Sequence, residues 1–174
     1  MKYLVYLLIP LSLLFQNCGS QTPTMNPADV RNVIQQRNFT FMATRAIPSA
    51  SDINNIIVNM PNRNSSRILE LDEGYTLKIE DGVLSADLPY FGRVFHPTYG
   101  VDNQGLKFST TNFTFSEKTD TDKVTITIQP QEGTRVNVIF LDIYNNGRSY
   151  LSVNSNDRQP ISYHGYIMTN RVNP

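Results

Sequence analysis

Tyr75-Thr76-Leu77-Lys78-Ile79-Glu80-Asp81-Gly82-Val83-Leu84-Ser85-Ala86-Asp87-Leu88 is the stretch that decides the fold class. From Tyr75 to Glu80 apolar and polar residues alternate, the period of a strand with one face buried and the other solvated. Asp81-Gly82 then supplies a pair that tolerates positive φ and closes a two-residue hairpin. Val83 to Leu88 runs back as a second extended segment. Strands joined this tightly are antiparallel, because a parallel pair needs a crossover of about a dozen residues or more.

The same period continues on both sides. Phe39 and Phe41 alternate with Thr40 and Met42, and Ile68-Leu69-Glu70-Leu71 reads as another extended run. Downstream come Leu106-Lys107-Phe108, Phe113-Thr114-Phe115, Val124 to Ile128, Val136 to Tyr144, Tyr150 to Val153 and Ile161 to Met168. Asn146-Gly147 repeats the two-residue hairpin signal, and Glu73-Gly74 and Glu132-Gly133 are loop closers. One helix is expected. Asn26-Pro27-Ala28-Asp29 is a helix start, with Asn to cap, Pro at the first position and Asp at the positive end. Val30, Val33 and Ile34 then fall at helical spacing to about Arg37. With no second helix, an α/β fold is excluded. The expected fold is mainly β: a single antiparallel up-and-down domain with a short N-terminal helix. Eight or more strands must close their edges, in a small barrel or a two-sheet sandwich, and the pattern leaves those two open.

The chain's 174 residues suit one domain. Lys plus Arg number 15 and Asp plus Glu 15, a net charge of zero. That balance argues against nucleic acid as a partner, since phosphate neutralisation drives such affinity, and against electrostatic adhesion to anionic lipid. Residues 1–17 read as a signal peptide: Met1-Lys2 is a positive start, and Tyr3 to Phe15 is apolar apart from Pro10 and Ser12. That run falls short of the about 20 residues that span a bilayer. It ends at Cys18, the only cysteine. The arrangement resembles a bacterial lipobox, with Phe15, Gln16 and Asn17 where that pattern has Leu and small residues. Residues 18–25 are expected to be a lipidated cysteine and flexible tether, and 26–174 the β-rich domain. Acylation at Cys18 anchors the chain to a membrane and leaves no thiol for disulfides or catalysis. No acidic residue follows Cys18 directly, so the expected place is the cell envelope, at the periplasmic face of the outer membrane.

The chemistry-bearing residues are sparse. His96 and His164 have no ligand spacing between them. Asp72-Glu73 and Glu80-Asp81 sit at turns, where acidic residues serve turn geometry. Asp120 with Asp122, and Asp102-Asn103, could offer oxygen to calcium but make no full loop. Asn38, Asn64 and Asn112 fit a glycosylation pattern by chance. No nucleophile elbow is present. No catalytic residue, metal or cofactor is expected. Two segments stand out: Leu88-Pro89-Tyr90-Phe91-Gly92-Arg93, and Asn156 to Gly165, with Arg158, Pro160, Tyr163 and His164. As a surface, Tyr90, Phe91, Arg93, Arg158 and Tyr163 would bind a ligand or partner. As a corner, the aromatics would fill the core and the Arg residues close it on loop carbonyls. Pro and Gly beside aromatics favour the corner.

Phe41-Met42-Ala43-Thr44-Arg45-Ala46, Leu88 to Arg93 and Arg158-Gln159-Pro160-Ile161-Ser162-Tyr163-His164-Gly165 resemble the signatures of the domain of unknown function 4251 family, as does Asn146-Gly147 followed by Leu151-Ser152-Val153. The resemblance covers roughly Phe39 to Ile167. It implies a Bacteroidota host and one exported or lipid-anchored envelope domain, and it carries over no activity or catalytic residue. The expected function is a non-enzymatic lipoprotein that binds or scaffolds an unidentified small ligand or envelope protein. The alternatives are an assembly factor of the outer membrane and, last, a glycan or peptide hydrolase.

Overall fold

The computed structural model describes residues 24–49, 69–95 and 105–170. Among the described residues one helix, α1 (Pro27–Gln36), precedes nine strands: β1 (Phe39–Ile47), β2 (Thr76–Glu80), β3 (Val83–Pro89), β4 (Gly105–Thr110), β5 (Phe113–Thr119), β6 (Lys123–Pro130), β7 (Val136–Tyr144), β8 (Arg148–Ser155) and β9 (Ile161–Thr169). They form one sheet in the order β4-β3-β2-β1-β9-β8-β7-β6-β5. Every pairing is antiparallel. The sheet curls into a nearly closed barrel, which decides between barrel and sandwich.

Strand directions explain the closure. Counted from β1 either way around the sheet, each antiparallel step reverses the chain, and β4 and β5 come out running the same way. Only Thr111 and Asn112 separate them. They are therefore two halves of one bent strand, the first paired to β3 and the second to β6. The bend is set locally. Asn112 donates its N–H to Thr110 Oγ1 at 3.1 Å, and its carbonyl accepts from Gln131 N–H at 2.9 Å.

Inward positions carry the core. Phe39, Phe41, Leu77 and Tyr163 are 0 % exposed, and their side chains occupy the lumen together with Ile126, Ile139 and Leu141. The outward positions of the same strands are mostly polar, as on β6, where Lys123, Thr125 and Thr127 alternate with buried Val124, Ile126 and Ile128. Val30, Val33 and Ile34 of α1 join the same core, so the helix is held by tertiary packing, as one this short must be. Asn26 stands at the N-cap position without capping through its side chain; its Nδ2 donates instead to Asp29 Oδ2 at 3.4 Å. At the other end Arg37 takes φ +50°, and its guanidinium lies 4.6 Å over the Phe115 ring. The start of α1 is tied to the β7–β8 turn by Met25 N–H to the Asn146 carbonyl, 3.1 Å. Asn170, which donates to the Ile79 carbonyl at 2.8 Å and also meets Asn38, ties the helix exit to the end of β2.

Two expectations change in detail. Leu69 to Leu71 is not a sheet strand; it makes an isolated bridge, Arg45 to Glu70. The cause is a bulge in β1 between Ala43 and Arg45, beyond which Ala46 N–H and the Thr44 carbonyl bond to Leu69 and Leu71 rather than to β2. Asn146-Gly147 is part of a three-residue loop, not a two-residue one. Gly147 N–H closes on the Tyr144 carbonyl at 2.9 Å with φ +81° at Gly147, the usual pairing of a type I turn with a left-handed glycine. Asp81-Gly82 makes the expected two-residue turn, with φ +51° and +77°. Ile68, Asn64, His96 and Asp102-Asn103 lie outside the described residues.

Gly165 on β9 is required for close approach. A Cβ there would meet the Met42 carbonyl oxygen at 2.0 Å and the Phe41 ring at 2.8 Å. Gly165→Ala should lose about 3 kcal/mol of stability through overpacking. Gly82→Ala, where a Cβ meets nothing within 4 Å and only φ is strained, should lose about 1 kcal/mol. Urea unfolding followed by circular dichroism checks both; equal losses would remove the close-approach explanation.

Candidate functional site

The two segments singled out in the sequence meet at the barrel mouth opposite α1. Val94 bridges Arg158. Gln159 N–H donates to the Arg93 carbonyl at 3.1 Å, and Phe95 N–H to the Asp157 carbonyl at 2.7 Å. The Tyr163 hydroxyl reaches up from the core and donates to the Pro89 carbonyl at 2.7 Å. The Tyr90 hydroxyl lies 3.0 Å from both the Arg93 and Gln159 carbonyls. Arg158 sits beneath. Its Nε and Nη2 grip both oxygens of Asp157 at 3.1 Å, its Nη1 donates to the Gly105 carbonyl at 3.1 Å, and its plane stacks 4.8 Å from the Tyr90 ring centroid. Arg135 adds a third bond to Asp157 at 3.1 Å.

This cluster is a seal. Tyr90 is 7 % exposed, Arg158 6 % and Tyr163 0 %. Of the expected surface only Arg93 is exposed, and it contributes its carbonyl, while Phe91 is half-buried against the core. Burial alone would raise the Asp157 carboxyl; donation from Arg158 and Arg135 outweighs it and holds the group below its ordinary value. Burial pushes the Tyr163 hydroxyl far up, so it stays a donor. A hollow of about 630 Å³ opens beside Phe91, between Tyr75, Asp87, Pro89, Tyr90 and Lys107. Its charged pair is already spent, Lys107 to Asp87 at 2.8 Å. Cys18 lies outside the described residues.

A larger hollow lies on the outer wall, at the far end of the barrel. It is an open groove of about 710 Å³ lined by Thr44, Asp122, Tyr144, Arg148 and His164, among others. Four elements hold it. The β1 bulge turns Thr44 toward β9, where its Oγ1 donates to the His164 carbonyl at 3.2 Å. His164 is exposed and stands edge-on to Tyr150, ring centroids 5.4 Å apart. Tyr144, 42 % exposed, ends β7. The rim is fastened by Asn145, whose N–H donates to the Asp122 carbonyl and whose Nδ2 donates to the Thr121 carbonyl, both 3.3 Å. Asn146 Oδ1 accepts from Arg148 N–H at 3.1 Å, and Ser149 Oγ donates to the Gly147 carbonyl at 3.1 Å. Among the described residues, the Asp122 carboxylate, the Arg148 guanidinium and the His164 ring nitrogens make no hydrogen bond or ion pair.

Sequence reasoning missed Thr44, Tyr144 and Arg148. One signal was present: in Val136 to Tyr144 the buried set is Val136, Ile139, Leu141 and Ile143, which leaves Phe140 and Tyr144 as aromatics on the solvent phase. Beside them Asp142 accepts from Lys123 Nζ at 2.7 Å and Thr125 Oγ1 at 2.6 Å. Burial raises this carboxyl and the two donors lower it, with a net lowering. Asp120 and Asp122 stand in the β5–β6 turn, and among the described residues no group of three His, Cys, Asp or Glu could hold a metal.

The seal carries a prediction. The folded pKa of Asp157 lies below its unfolded value of about 3.9, so its contribution is present above that pH and is lost as pH falls through the folded value. Asp157→Asn leaves the Arg158 charge buried without a counter-charge and should cost about 3 kcal/mol at neutral pH. It should also flatten the acid limb of stability. Urea midpoints between pH 7 and pH 2 measure both effects.

No curated protein sequence matches the chain. The family model described as a domain of unknown function (DUF4251) matches residues 22–167. With most of its length matched, and with the LPYFGR and RQPISYHG segments forming the seal of its barrel, the chain belongs to the domain of unknown function 4251 family.

Proposed function

We propose that this is a non-enzymatic cell-envelope lipoprotein of a Bacteroidota host. It is cut before Cys18, acylated there and held at the periplasmic face of the outer membrane, and its domain binds a periplasmic ligand or partner through its outer wall. One observation carries the binding mode. The lumen is filled by Phe39, Phe41 and Tyr163, with α1 packed at one mouth and the Asp157–Arg158 pair at the other. Barrels of about eight strands hold a small ligand only where side chains leave room, so the concave surface left for binding is external. The alternation of polar outside and apolar inside is the reverse of a membrane barrel, and attachment to the membrane therefore rests on Cys18.

A second reading, an assembly factor of the outer membrane, draws on Phe140 and Tyr144, 40 % and 42 % exposed on one strand face. Solvent-facing aromatics on the same strand face, with Asp142 between them, suit a protein partner.

Radiolabelled palmitate fed to the host should enter the wild-type chain and not Cys18→Ala, and the wild type should sediment with outer membrane while the variant stays in the soluble periplasm. Label retained by the variant would defeat the anchoring reading. Native mass spectrometry of the Cys18→Ala chain from that fraction should show an added mass lost on mild denaturation if a small ligand is bound. A clean apo mass, with cross-links from a photoreactive residue at position 140, would favour the assembly role.

A further inference from the structure

We infer that the outer-wall groove of Thr44, Asp122, Tyr144, Arg148 and His164 is a binding site for a short neutral oligosaccharide. The inference rests on the external binding reading above and names its ligand class.

The groove's chemistry selects among ligands. It is shallow and open rather than enclosed, so it suits a chain laid along it more than a compact molecule swallowed whole. Its polar groups are of both signs: Arg148 supplies only donors and Asp122 only acceptors, while the His164 ring supplies both. A simple anion would meet the Asp122 carboxylate, and a simple cation would meet the Arg148 guanidinium. A wholly apolar ligand would strip water from all three and leave them unpaired, at a cost in affinity. A polyol offers hydroxyls that donate and accept together. It can satisfy the guanidinium, the carboxylate and the imidazole without bringing a charge of its own.

The aromatic surfaces fit the other half of such a ligand. A pyranose has apolar C–H faces, and those faces lie flat on exposed rings. Tyr144 presents its ring at one side of the groove, and His164, braced edge-on by Tyr150 at 5.4 Å, presents a second. Both stand on strands, β7 and β9, and not on loop tips. The rim is already ordered by the bonds of Asn145, Asn146 and Ser149, so little freedom is lost on binding. The β1 bulge that re-aims Thr44 into the groove interrupts a nine-residue strand; bulges concentrate where a side chain must be redirected toward a site.

The test uses the full chain in a zwitterionic detergent, titrated with cellohexaose, mannohexaose, xylohexaose and chitohexaose by calorimetry and by backbone amide chemical shifts. The expected result is saturable binding of at least one, with shifts concentrated at Thr44, Tyr144, Arg148 and His164. Tyr144→Ala and His164→Ala should each weaken it roughly tenfold with unchanged thermal midpoints. Phe95→Ala, exposed at the opposite mouth, should leave affinity unchanged. No binding by any of the four sugars overturns the inference, as does binding that Tyr144→Ala and His164→Ala leave intact. Shifts at the groove with a zwitterionic peptide such as triglycine, and none with the sugars, also overturn the ligand class while leaving external binding standing. A host-derived mass found on the chain that is not a glycan would do the same.

Discussion

The pairing of β1 with β9 is the constraint on which the rest of this structure depends. It joins the first strand to the last, Phe39 opposite Thr169 and Ile47 opposite Ser162. Without it the strands form two meanders, β1 to β4 and β5 to β9, each with an open edge and a half-covered face. With it, and with the bent strand β4–β5 opposite, one continuous wall surrounds one lumen. The cost is kinetic: contacts this distant in sequence form only after a long loop has been closed.

Closure makes the two mouths the next problem, and each is solved by different chemistry. At one, α1 inserts Val30, Val33 and Ile34, an apolar solution that needs no polar partner. At the other, loop backbone must be buried, and buried carbonyls demand donors. Arg158 supplies one to Gly105 and Tyr163 one to Pro89, while the single Tyr90 hydroxyl proton is shared between the Arg93 and Gln159 carbonyls. Asp157 neutralises the guanidinium and fixes its plane. The two arginine- and aromatic-rich segments are thereby occupied with each other.

The same β1–β9 seam links packing to the outer groove. Gly165 lets the Phe41 ring and the Met42 carbonyl come against β9, and one step away the bulge in β1 sends Thr44 to the outside beside His164. A close approach inside and a redirected side chain outside thus arise from one irregularity. Tyr144 and Arg148 flank it from the β7–β8 turn, whose Gly147 also seats Met25 before the helix.

Much of the architecture was determined by the sequence alone. Period-two alternation located a segment of each of the nine strands now seen around the barrel, because burial of one strand face is a local property of every second residue. Asp81-Gly82 specified its turn because few residues accept φ +51° followed by +77°. Pro27 and the Val30, Val33, Ile34 spacing specified the helix, and the paired LPYFGR and RQPISYHG segments specified the family. Only the tertiary structure decided barrel against sandwich, since that depends on whether β1 finds β9, a pairing between residues more than a hundred positions apart. Pro and Gly beside the aromatics already favoured a corner for Tyr90, Arg158 and Tyr163, but only the tertiary structure named their partners, because burial at a mouth is set by which loops converge there. It alone assembled Thr44, Tyr144, Arg148 and His164, which share no spacing in the chain and become neighbours through strand register and one bulge.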